Sequence, residues 1–215
     1  MNLKNINQNF TQKFPGDFSE NTMQRQTPEV LFCFIKPALF DNTKLIDFNE
    51  NLSVEIGLGA LENDKDFLVA QNLPSNVRTY ATAYAGHQFG NWAGQLGDGR
   101  AIYAGEIINE NHQTEIQWKG AGATPYSRHA DGRAVLRSSI REYLMSEAMY
   151  HLGIPTTRAL SITKTGEDVV RDMKYSGNPQ KEQGAVVVRT AESFLRFGHF
   201  ELLSARNQTD LLKQL

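Results

Sequence analysis

Short segments in which apolar residues alternate with polar ones, or run together, recur along the chain and are typical of β-strands. They predict strands at residues 29–37, 101–108, 115–119, 156–163 and 184–188. A turn at residues 109–111 joins the second and third of these strands into a hairpin. Within residues 115–119, Ile116 and Trp118 share one face of the strand. The opposite face carries Glu115, Gln117 and Lys119, so the hairpin has one apolar and one polar face.

A helical repeat of apolar residues dominates residues 133–152 and predicts a helix of about five turns. Its main apolar stripe consists of Leu136, Ile140, Tyr143 and Leu144. Gly153 and Pro155 are strong stop signals for this helix. Shorter helices are predicted within residues 45–61, at 193–203 and at 209–215. In the last of these, an apolar face with nothing after it to cover it is formed by Leu211, Leu212 and Leu215.

Composition narrows the class of protein. The 215 residues include 22 Lys and Arg against 24 Asp and Glu, and the formal net charge of -2 gives no electrostatic footprint for nucleic acid. The single cysteine, Cys33, excludes an internal disulfide. Apolar runs are much shorter than the roughly 20 residues of a membrane span, and the polar N-terminus lacks the apolar region of a signal peptide. We therefore expect a cytoplasmic protein with an α+β fold and a polar tail or wrap at residues 1–27.

Lys119 and Glu142 are the first candidate site residues. Lys119 ends a strand after a glycine-rich stretch, and Glu142 lies on a partly apolar stripe of the long predicted helix. Protein kinases use this order, with the lysine at the nucleotide phosphates and a helical glutamate holding it. The alternative is that both are solvated surface residues. We predict an ion pair between them.

Two glycine turns that each end in an arginine suggest phosphate binding. Gly97 and Gly99 flank Asp98 and precede Arg100, and Asp131 and Gly132 precede Arg133 at the start of the predicted helix. Residues without a Cβ let backbone N–H groups approach a phosphate closely, and a helix N-terminus adds positive charge. The alternative is that each is a plain turn.

Two further arginines are predicted to meet at one anion site. Arg189 follows a strand, and Arg196 falls in the first turn of the helix predicted at 193–203. A guanidinium group binds phosphate oxygens through two parallel donors, although each residue alone could be an ordinary surface arginine. The histidines are scattered, so no metal site is expected within this chain. The serines form no nucleophile elbow, and no catalytic triad is recognised.

Several long strings make the chain resemble the selenoprotein O (SelO) family. They are YAGHQFG at 84–90, QLGDGRA at 95–101, KGAG at 119–122, TPYSR at 124–128, DGRAVLRSSIRE at 131–142, GIPTTRAL at 153–160 and RFGHFE at 196–201. The resemblance is dense from about residue 84 to 204 and weaker upstream of it. It implies a protein-kinase-like fold that binds ATP in a flipped orientation and transfers AMP to hydroxyl side chains of proteins.

By this resemblance, residues 28–190 would be the N-terminal lobe, an antiparallel sheet with a long helix, and residues 191–215 the start of the second lobe. Lys119 would contact phosphate and pair with Glu142. The other nucleotide-binding residues would be Gly97, Gly99, Arg100, Asp131, Gly132, Arg189 and Arg196.

The resemblance also implies that some catalytic parts lie outside this chain. The family's catalytic base and its ligands for Mg²⁺ or Mn²⁺ would lie downstream of Leu215, so the fragment is expected to be inactive alone. Its expected partners are ATP and protein substrates with Ser, Thr or Tyr hydroxyls, with no nucleic acid or membrane. A non-catalytic nucleotide-binding or interaction remnant, or a phosphotransferase, remains the alternative.

Overall fold

The computed structural model describes residues 6–109 and 112–215. The strands are β1 Ile6–Asn7, β2 Gly16–Asp17, β3 Phe32–Phe34, β4 Lys44–Phe48, β5 Tyr80–Thr82, β6 Ala85–Gln88, β7 Asn91–Gln95, β8 Ala101–Asn109, β9 His112–Lys119, β10 Ala134–Val135, β11 Arg158–Arg171 and β12 Gln180–Ala191. The helices are α1 Asn9–Lys13, α2 Glu50–Glu55, α3 Leu136–His151, α4 Phe197–Ala205 and α5 Thr209–Gln214, with a 3₁₀ helix at Phe67–Val69. The expected α+β class is confirmed.

A ten-stranded sheet forms the frame, with the main order β2-β3-β5-β8-β9-β12-β11-β4. In it, β2 and β3 are parallel and the other pairs along this order are antiparallel. The hairpin predicted from alternation is present as β8 and β9, in which Ala101 pairs with Lys119. Two residues of its predicted turn, 110 and 111, lie outside the described residues. On the other side of β9, Lys119 pairs with Val187 of β12.

The apolar face of β9 supplies the centre of the core. Ile116 and Trp118 are fully buried, and the Trp118 indole Nε1 donates a hydrogen bond of 2.7 Å to the Phe67 carbonyl oxygen. This bond satisfies the polar atom of a large buried ring. The predicted uncovered face of the last helix is wrong, because Leu211, Leu212 and Leu215 are partly buried against this core.

Helix α3 lies on β11 and β12 through a face that only partly matches the predicted stripe, since Leu136 and Tyr143 pack on the sheet. It buries Ser139 and Tyr143, whereas Ile140 and Leu144 are 39% and 60% exposed. Charged anchors fix this orientation: the Glu147 carboxylate accepts bonds of 2.9 and 2.8 Å from the Arg158 guanidinium on β11. Ion pairing to the sheet thus accompanies the packing of Tyr143, and hydropathy alone does not indicate it.

Several boundaries differ from the sequence prediction. Helix α3 begins at Leu136 because Ala134 and Val135 first pair with β12 as strand β10. Strands β11 and β12 are much longer than the strands predicted at 156–163 and 184–188, and they pair as a hairpin with Arg171 opposite Gln180 at its far end. The strand predicted at 29–37 contracts to β3. At the N-terminus, β1 pairs with β8, so part of the segment 1–27 joins the sheet.

Candidate functional site

A cavity of about 480 Å³ opens where the ends of β8, β9 and β12 meet the loops before α3 and α4. Its lining is strongly cationic. The basic side chains in it are Arg100, Lys119, Arg128, Arg133, Arg171, Arg189 and Arg196. Among the lining residues, Asp98 alone carries a carboxylate. The remaining lining residues are Tyr84, Gln88, Leu96, Gly97, Gly99, Ala101, Tyr126, Ser127, Ala130 and Gly132.

Lys119 and Glu142 form the predicted ion pair. Lys119 Nζ lies 2.5 Å from Glu142 Oε2, and the two side chains are 23% and 26% exposed. Burial lowers the pKa of Lys119, as do the nearby Arg189 and Arg100, while Glu142 opposes the shift. The acid therefore helps to keep the amine charged at the edge of the cavity.

Glu142 also engages a second cation that sequence analysis did not assign to it. Arg189 Nη1 lies 3.1 Å from Glu142 Oε1, so each carboxylate oxygen holds a different cation. Arg189 extends from β12, its side chain is 12% exposed, and its Cζ lies 5.2 Å from the centre of the Phe194 ring. One helical carboxylate thus positions a strand lysine and a strand arginine together.

The first glycine turn lies against the cavity in a conformation that requires glycine. Gly97 has φ +147°, and a Cβ there would lie 2.5 Å from Tyr126 Cγ and 2.7 Å from the Thr82 carbonyl oxygen. Between the two glycines, the buried Asp98 carboxylate accepts bonds from Thr82 N at 3.0 Å and Thr82 Oγ1 at 2.5 Å. Burial raises the pKa of Asp98, and the Thr82 bonds oppose this shift.

The second turn contributes its glycine to the cavity, whereas its acid faces elsewhere. Gly132 has φ +70°, and a Cβ there would overlap the carbonyl group of Gly122. Asp131 is absent from the lining, because its carboxylate accepts bonds of 2.8 and 2.7 Å from the Arg171 guanidinium. Arg171 itself lines the cavity and was missed. The turn also does not lie directly at a helix N-terminus, since β10 separates it from α3.

Arg189 and Arg196 both line the cavity, so the predicted convergence of these two side chains is present. Arg196 differs from its predicted position in one respect. It is the residue before α4, with extended φ and ψ of -120° and 156°, and does not lie in the first helical turn. Its guanidinium Cζ lies 5.1 Å from the centre of the Tyr84 ring.

A buried histidine that sequence reasoning had dismissed contacts the Arg196 backbone. The Arg196 N–H donates to His199 Nδ1 at 3.0 Å, and His199 Nε2 lies 3.1 Å from Thr82 Oγ1. The His199 ring thus bonds back to the residue before the helix, as the third helical residue of a capping box does. Arginine and histidine are not the residues that mark such a box, so the sequence signalled neither this contact nor the long-range contact to Thr82.

The residues at the cavity do not fit a divalent cation. Oδ2 of Asp98 is already engaged by Thr82, and the other charged lining residues are cations. Over residues 6–109 and 112–215, no group of three or more His, Cys, Asp or Glu side chains is arranged to hold a metal ion. Within the same residues, none of the helices is both long and apolar enough to cross a membrane.

Comparison with known proteins shows which family this chain resembles. The family model described as "Protein adenylyltransferase SelO" matches residues 17–215. The chain is 52% identical over 217 residues to a protein nucleotidyltransferase YdiU of Cytophaga hutchinsonii, covering 100% of this chain and 42% of the relative. It is also 52% identical over 217 residues to one of Flavobacterium johnsoniae, covering 99% and 41%. The chain thus spans about two fifths of the length of these relatives.

Proposed function

Because the chain belongs to the SelO family of protein adenylyltransferases, we propose that its cation-lined cavity binds the triphosphate of ATP. The chain would be the nucleotide-binding part of an enzyme that transfers AMP to Ser, Thr or Tyr hydroxyls of proteins. The observation that carries this proposal is the convergence of seven basic side chains on one cavity of about 480 Å³.

Charge balance supports a polyanionic ligand. Like charges this close repel one another unless a counter-charge lies between them. Glu142 neutralises part of this charge through Lys119 and Arg189. From outside the cavity, Asp131 pairs with Arg171 and Glu167 pairs with Arg133. A nucleotide triphosphate supplies several negative charges in one elongated group, which suits guanidinium groups approaching from different strands. Gly97, Gly99 and Gly132 would let the backbone approach the phosphates, with Arg100 beside them.

The lysine and the helical glutamate support a kinase-like assignment. We propose that residues 28–190 form a protein-kinase-like N-terminal lobe and that residues 191–215 begin a second lobe. A strand lysine held by a helical carboxylate is the arrangement that kinases use to orient nucleotide phosphates. Lys119, Arg189 and Arg196 would stabilise the charge that develops on the pyrophosphate leaving group during adenylyl transfer.

We propose that the catalytic base and the metal ligands of the reaction come from outside this chain. The described residues do not fit Mg²⁺ or Mn²⁺, and the chain spans about two fifths of its relatives. Cavity and relatives together favour a chain that binds ATP and does not transfer AMP by itself. A longer gene product containing this chain should transfer label to protein from ATP labelled at the α-phosphate. Transfer from ATP labelled only at the γ-phosphate would instead identify a phosphotransferase.

Calorimetric titration of the 215-residue chain with ATP tests the binding step. Lys119→Ala should weaken ATP binding by about 1.5–3 kcal/mol, the contribution of a charged hydrogen bond. Lys181→Ala is the matched control, because that lysine is 76% exposed and lies 3.9 Å from Asp168 outside the cavity. Equal affinities for wild type and Lys119→Ala, or no binding by wild type at millimolar ATP, would contradict the proposal.

A further inference from the structure

The polar groups behind the cavity form a hydrogen-bonded chain whose direction is fixed at both ends. At one end, the Arg196 N–H donates to His199 Nδ1 at 3.0 Å, so this ring nitrogen carries no proton. At the other end, the Thr82 N–H and hydroxyl lie 3.0 and 2.5 Å from Asp98 Oδ2. The carboxylate accepts from both Thr82 groups, so the Thr82 hydroxyl proton points to Asp98.

These ends leave one arrangement for the middle of the chain. The neutral His199 ring must carry its proton on Nε2, which then donates to Thr82 Oγ1 at 3.1 Å. His199 is 1% exposed, and its burial lowers its pKa to about 4, so the ring is neutral at physiological pH. A protonated ring would place a second donor against the Arg196 N–H and break the chain.

This series of hydrogen bonds joins two segments that line the cavity. Asp98 lies between Gly97 and Gly99 in the first glycine turn, and Arg196 lies at the start of α4. The two ends of Arg196 are held separately: His199 binds its backbone, and its guanidinium lies over Tyr84. The Tyr84 ring in turn lies 5.4 Å from the His199 ring. His199 therefore contacts both the Arg196 backbone and the ring on which the Arg196 guanidinium lies.

We propose that His199 is a positioning residue for nucleotide binding. As the Nε2–H tautomer, it connects the Arg196 backbone to the Thr82–Asp98 pair by hydrogen bonds. The Arg196 guanidinium is thereby held at a fixed position relative to the glycine turn. This inference rests on the proposed function of the cavity. It adds that two phosphate-binding segments far apart in the sequence act as one preorganised unit, which lowers the ordering cost when the ligand binds.

A double-mutant cycle distinguishes positioning from a merely structural role. By calorimetry on the 215-residue chain, His199→Gln should weaken ATP binding about 5- to 30-fold. In the Arg196→Ala background it should change the affinity less than about twofold, because no guanidinium remains to be positioned. Equal losses in both backgrounds would overturn the proposal, since a general packing defect would act regardless of Arg196.

Thr82→Val provides a second variant in case His199→Gln does not fold. It removes the hydroxyl that joins the ring to Asp98 and should show the same dependence on Arg196. Thr163→Val is the matched control, because Thr163 is also buried and its hydroxyl makes no hydrogen bond within the described residues. A loss of ATP affinity in this control equal to that of Thr82→Val would count against the proposal.

A nitrogen-15 NMR spectrum of the ring tests the hydrogen-bond assignment without nucleotide. The Nε2–H tautomer should be the one observed near neutral pH. An Nδ1–H tautomer or a charged ring would overturn the proposal. If the wild type failed to bind ATP while showing the Nε2–H tautomer, the proposed function would fail, and with it the link to phosphate, while the hydrogen-bonded chain would stand.

Discussion

Glu142 accepts a hydrogen bond of 2.5 Å from the Lys119 ammonium and thereby connects the middle of α3 to the end of β9. The second oxygen of the same carboxylate lies 3.1 Å from Arg189 Nη1. Removing the acid would leave two partly buried cations facing each other. The position of α3 and the charge state of Lys119 are therefore linked.

Glu142→Gln should lower the pKa of Lys119 below its wild-type value. Burial, Arg189 and Arg100 all lower this pKa, and Glu142 opposes them. The fraction of neutral amine at pH 8 should rise, and with it the rate at which Lys119 is acetylated, as measured by mass spectrometry. Glu182→Gln is the control, because Glu182 pairs with Arg137 at an exposed position. An unchanged acetylation rate in Glu142→Gln would count against the pair.

Arg196→Ala should weaken ATP binding by about 1.5–3 kcal/mol and leave the fold intact. The residue lines the cavity, and removing one of several close cations relieves repulsion. Calorimetry gives the affinity, and thermal unfolding checks the fold. Arg137→Ala removes an arginine that does not line the cavity and should bind ATP as the wild type does. An unchanged ATP affinity in Arg196→Ala would show that Arg196 has no role in phosphate binding.

Gly132→Ala should destabilise the chain more than Gly177→Ala does. The two glycines have φ of +70° and +78°, so alanine costs each about 1–2 kcal/mol of backbone strain. Only at Gly132 would the new Cβ also overlap backbone, that of Gly122, at an overpacking cost of about 1–3 kcal/mol. Chemical denaturation measures the difference, and equal losses would show that the Gly122 approach relaxes freely.

Glu115→Gln should remove a decline in stability between about pH 5 and pH 7. Burial raises the pKa of Glu115 to about 7, with Glu106 and Asp98 adding to the shift and the Phe194 N–H, which the carboxylate accepts at 2.8 Å, opposing it. The folded state therefore binds more protons than the unfolded chain in this range. Wild-type stability falls as pH rises, by up to about 1.4 kcal/mol per pH unit.

Denaturant titrations at several pH values measure this effect. Relative to the wild type, the Glu115→Gln variant should gain stability as pH rises through this window. Glu192→Gln, at an exposed position, should follow the wild-type curve. Parallel curves for wild type and Glu115→Gln would show that Glu115 ionises without cost in the folded state.

Local patterns predicted the parts of the fold and site that local chemistry decides. Alternation gave the β8–β9 hairpin, and chain order gave the Lys119–Glu142 pair. Long-range contacts decided the rest. Arg171 reaches Asp131 across 40 residues from a strand whose polar sequence resembles a loop. Bulges in β11 let this polar segment continue the ladder with β12.

The helices show the same limit. The main stripe predicted for α3 includes Ile140 and Leu144, which are exposed, whereas the carboxylates of Glu142 and Glu147 bind cations of the sheet. Residues 193–195 look helical in sequence, but α4 starts later because Arg196 is extended and its N–H is bound by His199. For α3 the deciding contacts are with distant strands, whereas for α4 the contact lies within the same segment, three residues away.

The strand order determines at which stage of folding the cavity forms. Lys119 faces Ala101 on one side and Val187 on the other, so β9 is completed only when the distant β12 docks beside it. Pairings between segments so far apart in sequence close slowly, because the loop entropy is lost before the contacts form. A refolding chain should therefore form the β8–β9 hairpin early and acquire its affinity for nucleotide in the last kinetic phase.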